Sequence, residues 1–94
     1  MTDTLRITIH FFGAFRQFSK YFNDENHFTL KFCKPCTIAD IRAEFNQQLK
    51  IHCRHYNEQL LMQSFFANDD RILHDVTLIN TSVELCIIPP VSGG

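Results

Sequence analysis

Tryptophan is absent from this sequence, and glycine and proline are scarce, with three of each. So few chain breakers exclude a collagen-like or Pro/Gly-rich low-complexity polypeptide. Charge of one sign is equally lacking: nine Lys and Arg face ten Asp and Glu, for a formal net charge of −1. With no basic cluster and no aromatic–basic stripe, the footprint of a nucleic-acid module is missing. No apolar run approaches the length of a membrane span. The opening Met1-Thr2-Asp3-Thr4 lacks the basic and apolar regions of a signal peptide, so the expectation is a cytoplasmic protein with neither membrane nor nucleic acid as partner. In that setting the four cysteines, Cys33, Cys36, Cys53 and Cys86, are expected as free thiols, some buried as small hydrophobes. Cys86, in the last strand, is expected to be of the buried kind.

What is present is a globular composition in 94 residues, 45% hydrophobic and 20% charged, with ten phenylalanines as core anchors. That length suits one domain. Leu5 to Phe12 alternates, with Leu5, Ile7, Ile9 and Phe11 on one face and Phe12 on the other, which predicts a strand. Gly13 breaks it, and Ala14 to Phe18 suits a short helical turn. Tyr21 to Asn26 is polar and turn-like. His27 to Phe32 alternates again, with Phe28, Leu30 and Phe32 inward. Thr37 opens a helix as N-cap, with Asp40 in its first turn. Ile38, Ile41, Phe45 and Leu49 form the apolar stripe, and Arg42, Glu44, Gln47 and Gln48 point outward. Lys50 to Gln59 reads as a loop with room for helical pieces, and Leu60 to Ala67 as a third strand. Asn68-Asp69-Asp70 is a turn signal, Arg71 to Leu73 a short strand, and His74 to Ser82 a loop anchored by Val76, Leu78 or Ile79. Val83 to Ile88 closes the series as a strand, with Val83, Leu85 and Ile87 on one face. One helix against a mixed sheet of four to five strands is the α+β layering this order predicts.

After that strand come Pro89-Pro90-Val91-Ser92-Gly93-Gly94. Proline removes a ladder donor and fixes φ, so Pro89 and Pro90 end the pairing and direct the chain outward. The expected division is a folded domain over 1–90 and a flexible tail over 91–94. Four extended residues reach about 13–14 Å. The two glycines carry no side chain, so a narrow channel in another protein suffices to admit them.

These features resemble a known family. Ile9-His10-Phe11-Phe12-Gly13-Ala14-Phe15-Arg16 resembles the first strand and turn of the small, sulfur-carrying subunit of molybdopterin synthase, and Pro89 to Gly94 is similar to that family's tail. The resemblance implies a β-grasp, or ubiquitin-like, fold with the last strand beside the first. It also implies a carrier that is no enzyme on its own and binds no cofactor. An E1-like activating enzyme consumes ATP to join the Gly94 carboxylate to AMP, and a persulfide sulfur donor then yields a thiocarboxylate. The large subunit of molybdopterin synthase receives the tail, and sulfur passes to a cyclic pyranopterin precursor to make a dithiolene, in a heterotetramer of two small and two large subunits. By the same resemblance Gly94 carries the chemistry, Gly93 gives access, and Ser92, Val91, Pro90 and Pro89 set reach and direction. Phe12 and Ile88 match apolar partner-facing positions, and Arg16 matches an arginine that pairs with an acidic partner group.

The sequence departs from that family at the turn Ile79-Asn80-Thr81-Ser82, which lacks glycine, and in two clusters, Cys33-Lys34-Pro35-Cys36 and His52-Cys53-Arg54-His55. Thiolates and imidazoles are zinc ligands, but the His pair is one residue too close for the usual motif. A helix of about a dozen residues, roughly 18 Å long, also separates the two clusters. No metal is expected. A reversible Cys33–Cys36 disulfide is a second reading, and solvated turn residues the favoured one. Three functions fit the sequence. One is the molybdopterin carrier. Another is a carrier for thiamine, a different sulfur metabolite or tRNA thiolation, or a ubiquitin-like modifier. The third is a small interaction or zinc-binding module with an incidental Gly-Gly end.

Overall fold

In the computed structural model, residues 4–90 are described. Strand β1 (Leu5–Phe11) leads into a 3-10 helix (Gly13–Tyr21) and then β2 (His27–Phe32). The two-residue strand β3 (Cys36–Thr37) precedes helix α1 (Ile38–His52) and the short helix α2 (Glu58–Met62). Strands β4 (Phe65–Ala67), β5 (Ile72–Leu73), β6 (Leu78–Ile79) and β7 (Val83–Ile88) follow. The main sheet has the order β2-β1-β7-β4-β5, and β3 pairs with β6 in a small second sheet. β1 and β7 run parallel at its centre, while the outer pairs are antiparallel. The expected mixed sheet, with the last strand beside the first, is thus what the chain forms.

The core follows from the alternation and the helical stripe. Leu5, Ile7, Ile9 and Phe11 of β1 and Leu85 and Ile87 of β7 are buried. Ile38, Ile41, Phe45 and Leu49 lie on one side of α1 and are fully enclosed, as a 3.6-residue period dictates. Phe45 is the hub: its ring centroid lies 6.0 Å from Phe11, 6.4 Å from Phe15 and 6.5 Å from Phe66. Removing each such side chain from water stabilises by about 1.5–3 kcal/mol. Thr37 caps α1 reciprocally. Its hydroxyl accepts from the Asp40 N–H at 3.2 Å, and the Asp40 carboxylate accepts from the Thr37 N–H at 3.0 Å.

Several expectations are corrected. Leu60 to Met62 is helical rather than strand, because Asn57 accepts from the Gln59 N–H at 2.9 Å and so caps a turn of helix. α1 continues to His52, past the expected loop boundary at Lys50. The helical turn after Gly13 is a full 3-10 segment, in which Phe15 and Phe18 are buried. Its three-residue period puts them on one face. Of the three candidate anchors in the loop before β7, Ile79 is buried, whereas Val76 and Leu78 are exposed. Arg42 does not point to solvent. It donates to the carbonyls of Leu61 (2.6 Å) and Ser64 (2.9 Å), pairs with Asp75 at 3.2 Å, and its guanidinium carbon lies 5.2 Å from the Phe66 ring centre. Cys36 and Cys53 are buried rather than solvated, and Cys86 is half-buried rather than enclosed.

Candidate functional site at the tail exit

The central parallel pair brings the two ends of the sequence together. Its register runs from Ile7↔Val83 to Phe11↔Ile87; one step further sets Phe12 beside Ile88, and a second sets Gly13 beside Pro89. On the other flank Phe65 of β4 is the partner of Ile88. Paired residues share a face, and neighbours along a strand alternate. Phe11, Ile87 and Phe66 are therefore buried, while Phe12, Ile88 and Phe65 are 43%, 39% and 49% exposed. These three form an apolar rim where the chain leaves the sheet.

Arg16 joins the rim from the 3-10 helix. Its guanidinium carbon lies 5.8 Å from the centre of the Phe12 ring, and its Nε donates weakly to the Phe11 carbonyl at 3.5 Å. A cation held over an aromatic face stays partly available to an acid from outside. Gly13 has φ of +55°, and a Cβ built on it would lie 2.8 Å from Cγ of Pro89 and 3.4 Å from Cδ. The Pro89 ring therefore occupies the space a side chain would need. Pro89 and Pro90 are both half-buried.

Further down the same sheet face the surface turns polar. His10 bonds Glu84 at 2.8 Å, His27 bonds Glu25 at 2.9 Å, and the two imidazoles stand 5.8 Å apart. The glycine-free turn is anchored as well, since the Arg6 N–H donates to the Ser82 hydroxyl at 2.9 Å.

Of the site residues expected from sequence, the structure thus gathers Phe12, Arg16, Ile88 and Pro89, with Pro90 next in line. Val91, Ser92, Gly93 and Gly94 lie outside the described residues. Sequence reasoning missed Phe65 and the part played by Gly13. Phe65 is foreseeable once Phe66 is assigned inward, since strand neighbours alternate. Gly13 shows itself as the one glycine away from the tail.

The cysteine and histidine clusters are not gathered. Cys33 is exposed and Cys36 buried. Cys36 and His52 stand at opposite ends of α1, where His52 packs its ring 5.6 Å from Phe22. Among the described residues no three His, Cys, Asp or Glu side chains come close enough to hold a metal ion. Burial raises the thiol pKa of Cys36 and of Cys53 above the ordinary 9.0, and Asp40 adds to the shift at Cys36. Both thiols are therefore poor nucleophiles at neutral pH.

The strand order, the central parallel pair and the single main helix define the ubiquitin-like β-grasp fold. Among solved structures, the chain is similar to the solution structure of the HVO 2177 protein of Haloferax volcanii. The TM-score is 0.65 at 15% identity, over 97% of this chain and 88% of that one. It is also similar to SAMP1 of Haloferax volcanii, with a TM-score of 0.59 at 15% identity over 95% of this chain and 99% of that chain. The UBL domain of Plasmodium falciparum Dsk2 gives a TM-score of 0.59 at 10% identity, over 94% and 100%. At these identities the likeness is one of fold. No protein-family model and no curated protein matches the sequence. Among the described residues no helix is long and apolar enough to cross a membrane.

Proposed function

We propose that this protein is a ubiquitin-like sulfur carrier, and specifically the small subunit of molybdopterin synthase, acting in the cytoplasm. The observation that carries the reading is the exit itself. An apolar rim of Phe12, Ile88 and Phe65 surrounds a proline seated on a glycine, at the root of a segment ending Gly93-Gly94. A carboxylate is a poor electrophile, so an E1-like enzyme uses ATP to make the Gly94 acyl adenylate, releasing pyrophosphate. A persulfide sulfur then displaces AMP, and a thiol of the activating system reduces the resulting acyl disulfide to the thiocarboxylate. The rim docks on the large synthase subunit, Arg16 pairs with an acid there, and the tail delivers sulfur to a pyranopterin precursor. The described exit groups grip and orient. Proton transfer belongs to the partners. ATP is consumed by the activator and is not a resident cofactor.

The Gly93-Gly94 end on a ubiquitin-like fold favours one second reading, a protein modifier whose end is joined to a lysine amine. Incubation of the full chain with an E1-like enzyme, ATP and a persulfide donor tests the class. Intact mass should show one oxygen replaced by sulfur, and deletion of Gly94 should abolish the change. Sulfur label retained after that deletion rejects the site. Co-purification with a large synthase subunit supports the molybdopterin assignment, whereas isopeptide-linked lysine products support the modifier. Phe12→Ser and Ile88→Ser should each weaken large-subunit binding at least about tenfold.

A further inference from the structure

We propose that Gly13 is a positioning residue for the tail: it is the seat that fixes the direction in which the chain leaves the sheet at Pro89. The inference rests on the carrier reading for its functional consequence, but its structural content stands on the exit geometry.

The left-handed backbone at Gly13 does not by itself require glycine. Three other described residues adopt the same conformation, Asn23 at φ +58°, Asp24 at +60° and His55 at +57°. Side-chain-bearing residues thus occupy this region at three other described positions. At Gly13 space does not permit a side chain. A Cβ would come within 2.8 Å of Pro89 Cγ, well inside ordinary van der Waals contact. The atom it meets belongs to a closed ring that cannot rotate aside, because the pyrrolidine locks φ near about −65°. A change of ring pucker moves Cγ only in part, so the rest of the relief comes from swinging the backbone at Pro89.

Upstream of Pro89 the chain is held by the pairing of Ile88 with Phe65 and of Ile87 with Phe11. Downstream, Pro90 has a locked φ of its own. The seat and the two rings together thus set an exit direction rather than merely ending a strand. The consequence grows with distance. Where a partner holds 91–94 extended, an arm of about 13–14 Å, a swing of about 4–5° at the root shifts the tip by about 1 Å. Misplacing a reacting group by that much can cost about a hundredfold in rate.

Gly13→Asn keeps a residue type that tolerates positive φ while adding the Cβ. In the full-length chain, the one-bond Cα–Hα residual dipolar couplings of Pro89 and Pro90 report the exit direction without reference to activity. They should change in Gly13→Asn. In the Pro89→Ala background, where the ring atoms are gone, adding Gly13→Asn should produce no further change. In the loading reaction, Gly13→Asn should lower kcat for thiocarboxylate formation by about tenfold or more, with KM for the carrier within about twofold. Adding it to Pro89→Ala should lower kcat no further. Should Gly13→Asn fail to fold, Pro89→Ala alone carries the test. It empties the seat, and the Pro90 coupling should fall towards zero.

Unchanged couplings in Gly13→Asn, an equal change with and without the Pro89 ring, or an unaltered Pro90 coupling in Pro89→Ala would each overturn the seat. If the wild-type chain is never loaded, the carrier reading fails instead, and the couplings decide the seat independently.

Discussion

Two regions of this molecule reward opposite habits of reading. Cys36 and His52 are 16 residues apart and belong to clusters that look like metal chemistry, yet the 15 residues of α1, about 22 Å of helix, run between them. Phe12 and Ile88 are separated by almost the whole chain and carry no chemistry of their own, yet the β1–β7 register sets them side by side. Helices separate what is near in sequence, and parallel pairing joins what is far. The exit rim is a product of topology, and the Cys/His clusters are a coincidence of spacing that the topology takes apart.

The sharpest way to break the contrast is to remove what lies beneath the rim. Ile87 is fully buried under the exit, so Ile87→Ala should cost about 2–5 kcal/mol in urea unfolding and loosen the tail root. An unaffected midpoint would mean the exit does not depend on the core below it. Arg42→Met comes next. It strips the carbonyls of Leu61 and Ser64 of their donor, at about 1–3 kcal/mol for each group left unsatisfied, and should speed amide exchange in α2 before it affects β1 or β7. Thr37→Ala uncaps the helix that keeps the clusters apart and should cost about 1 kcal/mol.

A graded effect follows from pH. Burial, first of all, raises the thiol pKa of Cys36, Cys53 and Cys86 above 9.0, with Asp40 adding at Cys36 and Asp69 at Cys86. The folded chain therefore keeps protons that the unfolded chain releases. Stability is whole below about pH 9 and declines as pH rises past it, to be read as a lower urea midpoint at about pH 10 than at about pH 8. The smallest effect belongs to the apparent metal cluster. Cys33→Ser with His55→Asn should change stability by no more than about 0.5 kcal/mol, and zinc should leave the melting temperature of the parent chain unchanged.

How legible each region was depends on where its pairing partner lies. β1, β2, β7 and the face of α1 could be read from periodicity because their signals are local, and Thr37 announced its helix through its neighbour Asp40. β3 and β6 could not be read, since a two-residue ladder between Cys36 and Ile79 leaves no period in either segment. Leu60 to Met62 misled because a short apolar run serves helix or strand equally, and the deciding cap was Asn57. Arg42 misled because a charged residue off the apolar stripe was assigned to water, while the carbonyls that bind it lie some twenty positions downstream. At the exit, Phe12, Arg16 and Ile88 came from family resemblance, and Pro89 from its own locked φ and missing donor. Gly13 required a coordinate, because only the ring lying over it distinguishes it from an ordinary turn glycine.

The placement of β7 has a bearing on biosynthesis. Among the described strands it is the last to be made, and it supplies the inner neighbour of both β1 and β4. A ribosome that stalls before Val83 leaves a sheet with a gap through its middle, and pairing across so many residues is slow in any case. The wiring thereby makes closure late: the centre of the sheet, and with it the seat of Pro89 on Gly13, takes shape only once β7 is in place.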